Sequence, residues 1–436
     1  MNQPVNFFWF RRDLRLEDNA GLFYALKSGL PVLPLFIFDT DILGKLTDKK
    51  DARLHFIHQS VLELKLELQK LGSDLLVKIG KPEEVWKELN DIYNIASVRF
   101  NHDYEPYAIN RDEIVQSFFE SKGVIVKSYK DQCIFEKSEV VKDDGKPYTV
   151  FTPYSKKWKA KLNEFYLRSY PTEKFYQNFF KSTSSFDFPS LEALGFEASN
   201  ISFPSKSVAS KIISDYGQNR DFPSINGTSK LGIHFRFGTI SIREKARKAQ
   251  PLSEVYLNEL IWRDFYMQIL WHFPYVVDGP FKTNYAQIEW RNNEEEFEKW
   301  KRGETGYPIV DAGMRELAAT GFMHNRVRMI VASFLTKHLL IDWKWGEAWF
   351  AEKLLDFELS SNNGGWQWAA GCGTDAAPYF RVFNPALQTD KFDKNGLYIK
   401  KWVPELNKGQ YLRPIVNHEF ARNRCLEVYK KALNPS

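Results

Sequence analysis

Two domains of different class are expected from this chain: an α/β N-terminal domain on a doubly wound parallel sheet, then an all-α domain. Three observations lead there. At 436 residues the chain exceeds what one ordinary core holds. Over the first 130 residues short continuous apolar runs alternate with helical stretches. Beyond about residue 205 that alternation is rare and helical periodicity takes over. The expected division is 1–130, a connector over 131–205, and 206–436.

Taken in order, apolar runs at 6–10, 32–38, 75–79, 97–101 and 124–128 read as strands. Helical spacing at 20–28, 53–71, 83–93 and 111–122 separates them. Continuous rather than alternating apolar strands, joined by helices, predict a parallel sheet buried on both faces. No GxGxxG follows the first strand. In its place stands a charged loop, Arg11-Arg12-Asp13-Leu14-Arg15-Leu16-Glu17-Asp18-Asn19, at the carboxyl end where such sheets bind ligands. Residues 131–205 accumulate Pro, Ser and Lys and read as a surface connector. Helices are then expected over 208–216, 253–272, 294–301, 308–320, 324–340, 345–355 and 418–433.

Composition removes several function classes. Hydrophobic residues are 43% and charged residues 26%, the range of globular proteins. No run approaches the roughly 18 apolar residues of a membrane span, and no secretory leader pattern opens the chain. Cys133, Cys372 and Cys425 lie far apart without a CxxC pair, which fits a reducing, cytoplasmic setting. The eight histidines form no ligand cluster, so no metal is expected. The formal charge of +5 is weak evidence for nucleic acid. With 13 Trp, 20 Tyr and 35 Phe the chain is rich in rings, most of which belong to the core.

Four segments in the last half carry more than core. Thr228-Ser229-Lys230-Leu231-Gly232 offers hydroxyls, a cation and backbone N–H groups that suit a diphosphate, or simply a capped turn. In LNELIWRDFY (257–266), Glu259, Trp262 and Arg263 share a helix face; an i,i+4 ion pair beside a core Trp is the plain alternative. His324-Asn325-Arg326-Val327-Arg328-Met329 opens a helix with two arginines, which the macrodipole does not favour. In Asn362-Asn363-Gly364-Gly365-Trp366-Gln367-Trp368 two glycines are expected to end a helix and admit a close neighbour.

These motifs, with GYPIVDAGM (306–314), the FWFRRDLR opening (8–15) and WVPEL (402–406), resemble the photolyase/cryptochrome family over nearly the whole chain. Within it they look most like the class I cyclobutane pyrimidine dimer photolyases. The resemblance implies an antenna-binding α/β domain and a helical domain that binds FAD and DNA. It implies light-driven repair, in which reduced FAD passes an electron to a flipped dimer and splits it.

By the same resemblance, Tyr216, Tyr256 and Thr228–Gly232 hold FAD, the latter around its diphosphate. Arg263 and Asp356 flank its ring system, Glu358 lies near its adenine or ribitol side, and Asn362 faces the flavin N5. Glu259, Trp262, Asn325, Met329 and Trp368 form the lesion pocket. Trp290, Trp343 and Trp366 form an electron-transfer chain. Arg220, Arg326, Arg328 and Arg381 meet DNA phosphates. Lys230, Tyr256 and Glu358 depart mildly from the common Arg, Trp and Asp. The Glu105-Pro106-Tyr107-Ala108 stretch lacks the Asn-Glu pair of folate-binding relatives, so any second chromophore is expected to be of deazaflavin or flavin type. The partner is DNA containing pyrimidine dimers, and the protein is expected to be a monomer without a membrane.

Three rivals remain open at this stage. A signalling cryptochrome is opposed by the amide of Asn362, the indole of Trp262 and the short stretch after the last helix. A (6-4) photolyase is opposed by Asn325 and Met329 in place of histidines. A nucleotide-binding protein that uses only the N-terminal sheet would carry no FAD.

Overall fold

The computed structural model describes residues 3–409 and 411–433. The chain divides into two compact units, and it alternates between them. The first gathers 1–136, 161–206 and 231–248; the second gathers 137–160, 207–230 and 249–436.

The first unit is built on a five-stranded sheet in the order β3-β2-β1-β4-β5. Its strands are β1 (Val5–Phe10), β2 (Val32–Asp39), β3 (Leu76–Gly80), β4 (Ile95–Asn101) and β5 (Ile125–Tyr129). All neighbouring pairs are parallel. Every residue of β1 and β2 is buried, which is why both read as unbroken apolar runs. Pro34 sits in β2 one residue before the β3 ladder begins at Leu35, so its missing N–H costs no bond to β3. Four helices of eight residues or more connect the strands, besides a single turn at Thr40–Leu43: α1 (Ala20–Lys27), α2 (Ala52–Lys70), α3 (Pro82–Ile92) and α4 (Pro106–Glu120). Asn19 and Asp51 cap α1 and α2 through their side chains, while α3 and α4 begin with proline.

The helical unit takes α5 (Phe151–Lys161), α6 (Glu254–His272), α7 (Pro308–Thr320), α8 (Asn325–Ser333), α9 (Trp343–Lys353), α10 (Leu359–Ala370) and α11 (His418–Leu433), besides helices at Glu294–Arg302 and Pro385–Phe392 and shorter turns. Helix α5 lies in a stretch that composition presents as surface connector. Its Trp158 is nevertheless fully buried and donates to Asp264 Oδ2 on α6 at 3.0 Å. The expected helix 324–340 stops at Ser333, and a π-helical turn, Phe334–His338, follows it. Gly364 and Gly365 do not end a helix. Helix α10 runs through both and stops at Gly371, whose φ of +88° is the left-handed cap. All three cysteines are buried free thiols. No helix among the described residues is long and apolar enough to cross a membrane.

Candidate functional site

A cavity of about 470 Å3 opens in the helical unit, within the range of small-molecule sites. Helix α6 supplies Glu259, Trp262, Arg263 and Tyr266, the i, i+3, i+4, i+7 face of one helix. Helix α8 supplies Asn325, Arg326, Arg328 and Met329. Asp356 and Glu358 stand between α9 and α10, and α10 adds Asn362, Gly365, Trp366 and Trp368. Tyr216, Arg220, Asp221 and Thr228 complete the wall.

The four arginines of this wall are all paired. Arg263 binds Glu358 at 2.8 Å, with side chains only 10% and 7% exposed. Arg328 meets both oxygens of Asp356, at 3.1 and 2.9 Å, and donates to the Met323 carbonyl at 2.8 Å. Arg326 binds Asp221 at 2.6 Å, and Arg220 binds Glu259. The expected alternative, a Glu259–Arg263 pair along one helix, gives way to these longer-range partners. Burial pushes the Glu259 carboxyl above its usual range, and the Arg220 cation opposes that shift.

Helix α10 shows why glycine stands where it does. A Cβ on Gly364 would lie 2.1 Å from the Tyr266 ring, so the glycine permits direct contact between α10 and α6. A Cβ on Gly365 would meet nothing within 4 Å, and this residue faces the cavity. Asn362 donates to the Glu347 carbonyl and Asn363 to the Glu347 carboxylate, each at 3.0 Å. Burial raises the Glu347 carboxyl to about 7, against the Asn363 hydrogen bond.

Residues 256–410 match the family model described as the FAD binding domain of DNA photolyase, and residues 6–174 match the one described as DNA photolyase. A Synechococcus protein named deoxyribodipyrimidine photo-lyase is 36% identical, covering 99% of this chain and 97% of its own length. The chain belongs to the photolyase/cryptochrome family. Two solved members have the same fold. A Sulfolobus tokodaii photolyase holding two FAD molecules, one discussed as a light-harvesting cofactor, matches with a TM-score of 0.83 and 36% identity over 98% of this chain and 100% of its own. A Synechocystis cryptochrome matches with 0.84 and 27%, over 98% and 99%.

Fifteen of the residues carried over from the family line the cavity, and the others lie elsewhere. Tyr256 is buried behind the wall; its hydroxyl donates to Ser229 Oγ at 3.2 Å and its ring meets Tyr216 edge-on. Lys230 takes the left-handed φ of +53° that side chains rarely adopt. Leu231 and Gly232 begin the 231–248 stretch of the first unit, where Leu231 gives the turn after it no side-chain cap. Trp343 and Trp366 are buried in one core cluster, with Trp290 packed against it; Trp290 meets Tyr429 edge-on at 6.1 Å. Arg381 is exposed and lies 5.5 Å from the Phe383 ring.

Several neighbours escaped sequence reasoning. Tyr266 was within reach, since it continues the Glu259–Arg263 face by one turn. Phe151 was not. Its ring stacks on Trp262 at 3.7 Å and 3°, yet 111 positions separate them, and its N–H donates to Asp375 Oδ2 at 3.1 Å. The charged loop after β1 also proves different from its sequence pattern. Arg11 binds Asp112 and the Asn101 carbonyl and lies over Trp9 and Phe100. Arg12 binds Asp103 and Glu105, each at 3.0 Å, and Arg15 binds Asp131 at 2.7 Å. These cations knit the first unit together, and Glu105 is held by Arg12 and Arg236.

Proposed function

We propose that this protein is a light-driven DNA repair enzyme that splits cyclobutane pyrimidine dimers using FAD. The observation that carries the reading is one cavity whose wall brings together groups suited to a flavin and the indoles of Trp262 and Trp368. Part of this wall fits the cofactor: Gly365 leaves a Cβ-free surface, and Arg263–Glu358 and Arg328–Asp356 offer paired charges. Asn362 presents a neutral amide where a carboxylate would repel an anionic reduced flavin. Thr228, with Ser229 and Lys230 after it, suits the diphosphate. Bound FAD supplies a photoexcited one-electron donor, and the chain's own residues do the rest.

In this reading Trp262 and Trp368 provide apolar faces for a pyrimidine dimer, two neighbouring bases of one strand, taken out of the duplex, and Glu259 and Asn325 provide hydrogen bonds to its edges. Met329 fills the space beside them. Arg220 and Arg326 at the cavity and exposed Arg381 meet the backbone. Arg328, held by Asp356 and the Met323 carbonyl as Arg326 is held by Asp221, is assigned with them to the backbone. Trp366, Trp343 and Trp290 carry electrons to oxidised flavin. A second chromophore of flavin or deazaflavin type would occupy the first unit. The relative with two FAD molecules supports that assignment.

The test is illumination of the reduced protein with a dimer-containing oligonucleotide. Restored thymines support repair. FAD-loaded protein that leaves the dimers intact under light would instead favour signalling, as the likeness to the Synechocystis cryptochrome suggests.

A further inference from the structure

The proposed function gives Arg220 to the DNA backbone and Glu259 to the dimer, yet the two hold each other. Arg220 Nη1 donates to Glu259 Oε1, and neither meets its assigned partner while that bond stands. The pair is open to solvent, with 36% and 30% of the two side chains exposed, so an incoming phosphate can reach it. Next in sequence, Asp221 holds Arg326 of α8. Residues 220 and 221 therefore tie α6 to α8 through two adjacent ion pairs of opposite polarity.

Resting on the repair reading, we propose that Arg220 and Glu259 form an exchange lock. A DNA phosphate takes Arg220, and the carboxyl left behind gains a proton from solvent and donates its O–H to a carbonyl of the flipped dimer.

The surroundings of Glu259 favour this order. A phosphodiester oxygen is a strong acceptor for guanidinium and competes directly with a carboxylate. Once Arg220 leaves, the charge that still acts on Glu259 is Asp221, which repels a carboxylate. The other groups that face Glu259 give it no replacement cation. Tyr216, and Tyr256 and Tyr266 on its own helix, are phenols that burial keeps neutral. Arg263 is paired with Glu358, and Arg326 with Asp221. Burial already raises the Glu259 carboxyl with the cation present, and removing that cation raises it further. A neutral carboxylic acid can donate to a carbonyl; a carboxylate can only accept. Phosphate capture and lesion recognition are then one coupled event.

The experiment is calorimetry on the FAD-loaded full chain near neutral pH, in two buffers of different ionisation enthalpy. Dimer-containing and intact oligonucleotides are compared at one salt concentration. Wild type is expected to take up protons, at most one per complex, with dimer DNA and fewer with intact DNA, which offers Arg220 a phosphate but gives the Glu259 carboxyl no dimer carbonyl to donate to. Glu259→Gln should abolish the uptake, because the amide is neutral and does not titrate. Arg220→Gln should reduce the uptake, since without the cation the Glu259 carboxyl is already shifted further up before DNA arrives, and should lower the salt slope by about 1. Uptake that persists in Glu259→Gln or is undiminished in Arg220→Gln, or dimer preference without uptake in wild type, overturns the lock and leaves the repair reading standing. A wild-type protein that shows no preference for dimer DNA overturns both.

Discussion

At the residue scale the cavity depends on single contacts that decide what a side chain can do. Trp262 has Phe151 flat against one face, with the Tyr266 ring 5.5 Å away at 30°, and it lines the cavity. Trp262→Ala removes a stacking surface worth roughly 1–3 kcal/mol. Dimer preference should fall about tenfold to a hundredfold, with intact-DNA binding unchanged at fixed salt. Phe151→Leu should lose part of the same preference without lowering FAD content, and Phe151→Tyr should restore it. Loss of FAD in the Leu variant would mark Phe151 as a packing residue only. His338 shows a different single-residue effect. It is fully buried, its Nε2 meets His418 Nδ1 at 2.8 Å, and its Nδ1 has no partner among the described residues. Burial lowers its pKa from 6.5 to about 3. Between those values the unfolded chain binds a proton that the folded one refuses, so stability is complete above 6.5 and falls as the pH drops below it. His338→Gln should flatten this acid limb, as read by thermal unfolding at a series of pH values. An unchanged limb would mean that other groups set it.

At the element scale, helix α10 places two adjacent glycines to opposite ends. Gly364 lets α10 touch Tyr266 of α6, and Gly365 leaves cavity space. Gly364→Ala drives a methyl into a ring and should cost about 1–3 kcal/mol of stability. Gly365→Ala meets no neighbour and should gain up to about 1 kcal/mol from helix propensity. The same Gly365→Ala methyl enters the proposed cofactor space, so FAD retention should fall while the apoprotein melts no lower. Equal destabilisation by both changes, or full FAD retention in Gly365→Ala, would place the cofactor away from α10. The loop after β1 teaches the opposite lesson. Its arginines suggest a ligand site, but each finds a carboxylate or carbonyl inside its own unit.

At the scale of the whole molecule, the proposed electron path and the proposed lesion pocket share one helix, since α10 carries both Trp366 and Trp368. Trp366 lines the cavity and belongs to the same core cluster as Trp343, against which Trp290 packs. Trp366→Phe or Trp290→Phe should slow photoreduction of oxidised FAD, because a phenyl ring is far harder to oxidise than indole. Repair by chemically pre-reduced protein should persist. If that repair also collapses in Trp290→Phe, where the ring packs on Tyr429, the residue supports structure rather than electron flow.

By itself the sequence determined the class of both architectures and the positions of nearly all long elements. Parallel strands buried on both faces must be continuously apolar, and amphipathic helices must repeat every 3.6 residues, so both are written locally. It also determined family membership, since long ordered motifs such as 306–314 and 362–368 identify relatives without a fold. The tertiary structure decided which charges meet. Arg220 to Glu259 spans 39 positions and Arg263 to Glu358 spans 95, and no local pattern chooses between such partners. It decided that α10 continues through two glycines, because Tyr266 fills the space beside one of them. It decided too that Phe151 and Trp158, in a stretch composed like a linker, pack against α6. Partner choice among distant side chains is settled by packing and desolvation after the chain has folded, and local sequence records only what each residue is able to offer.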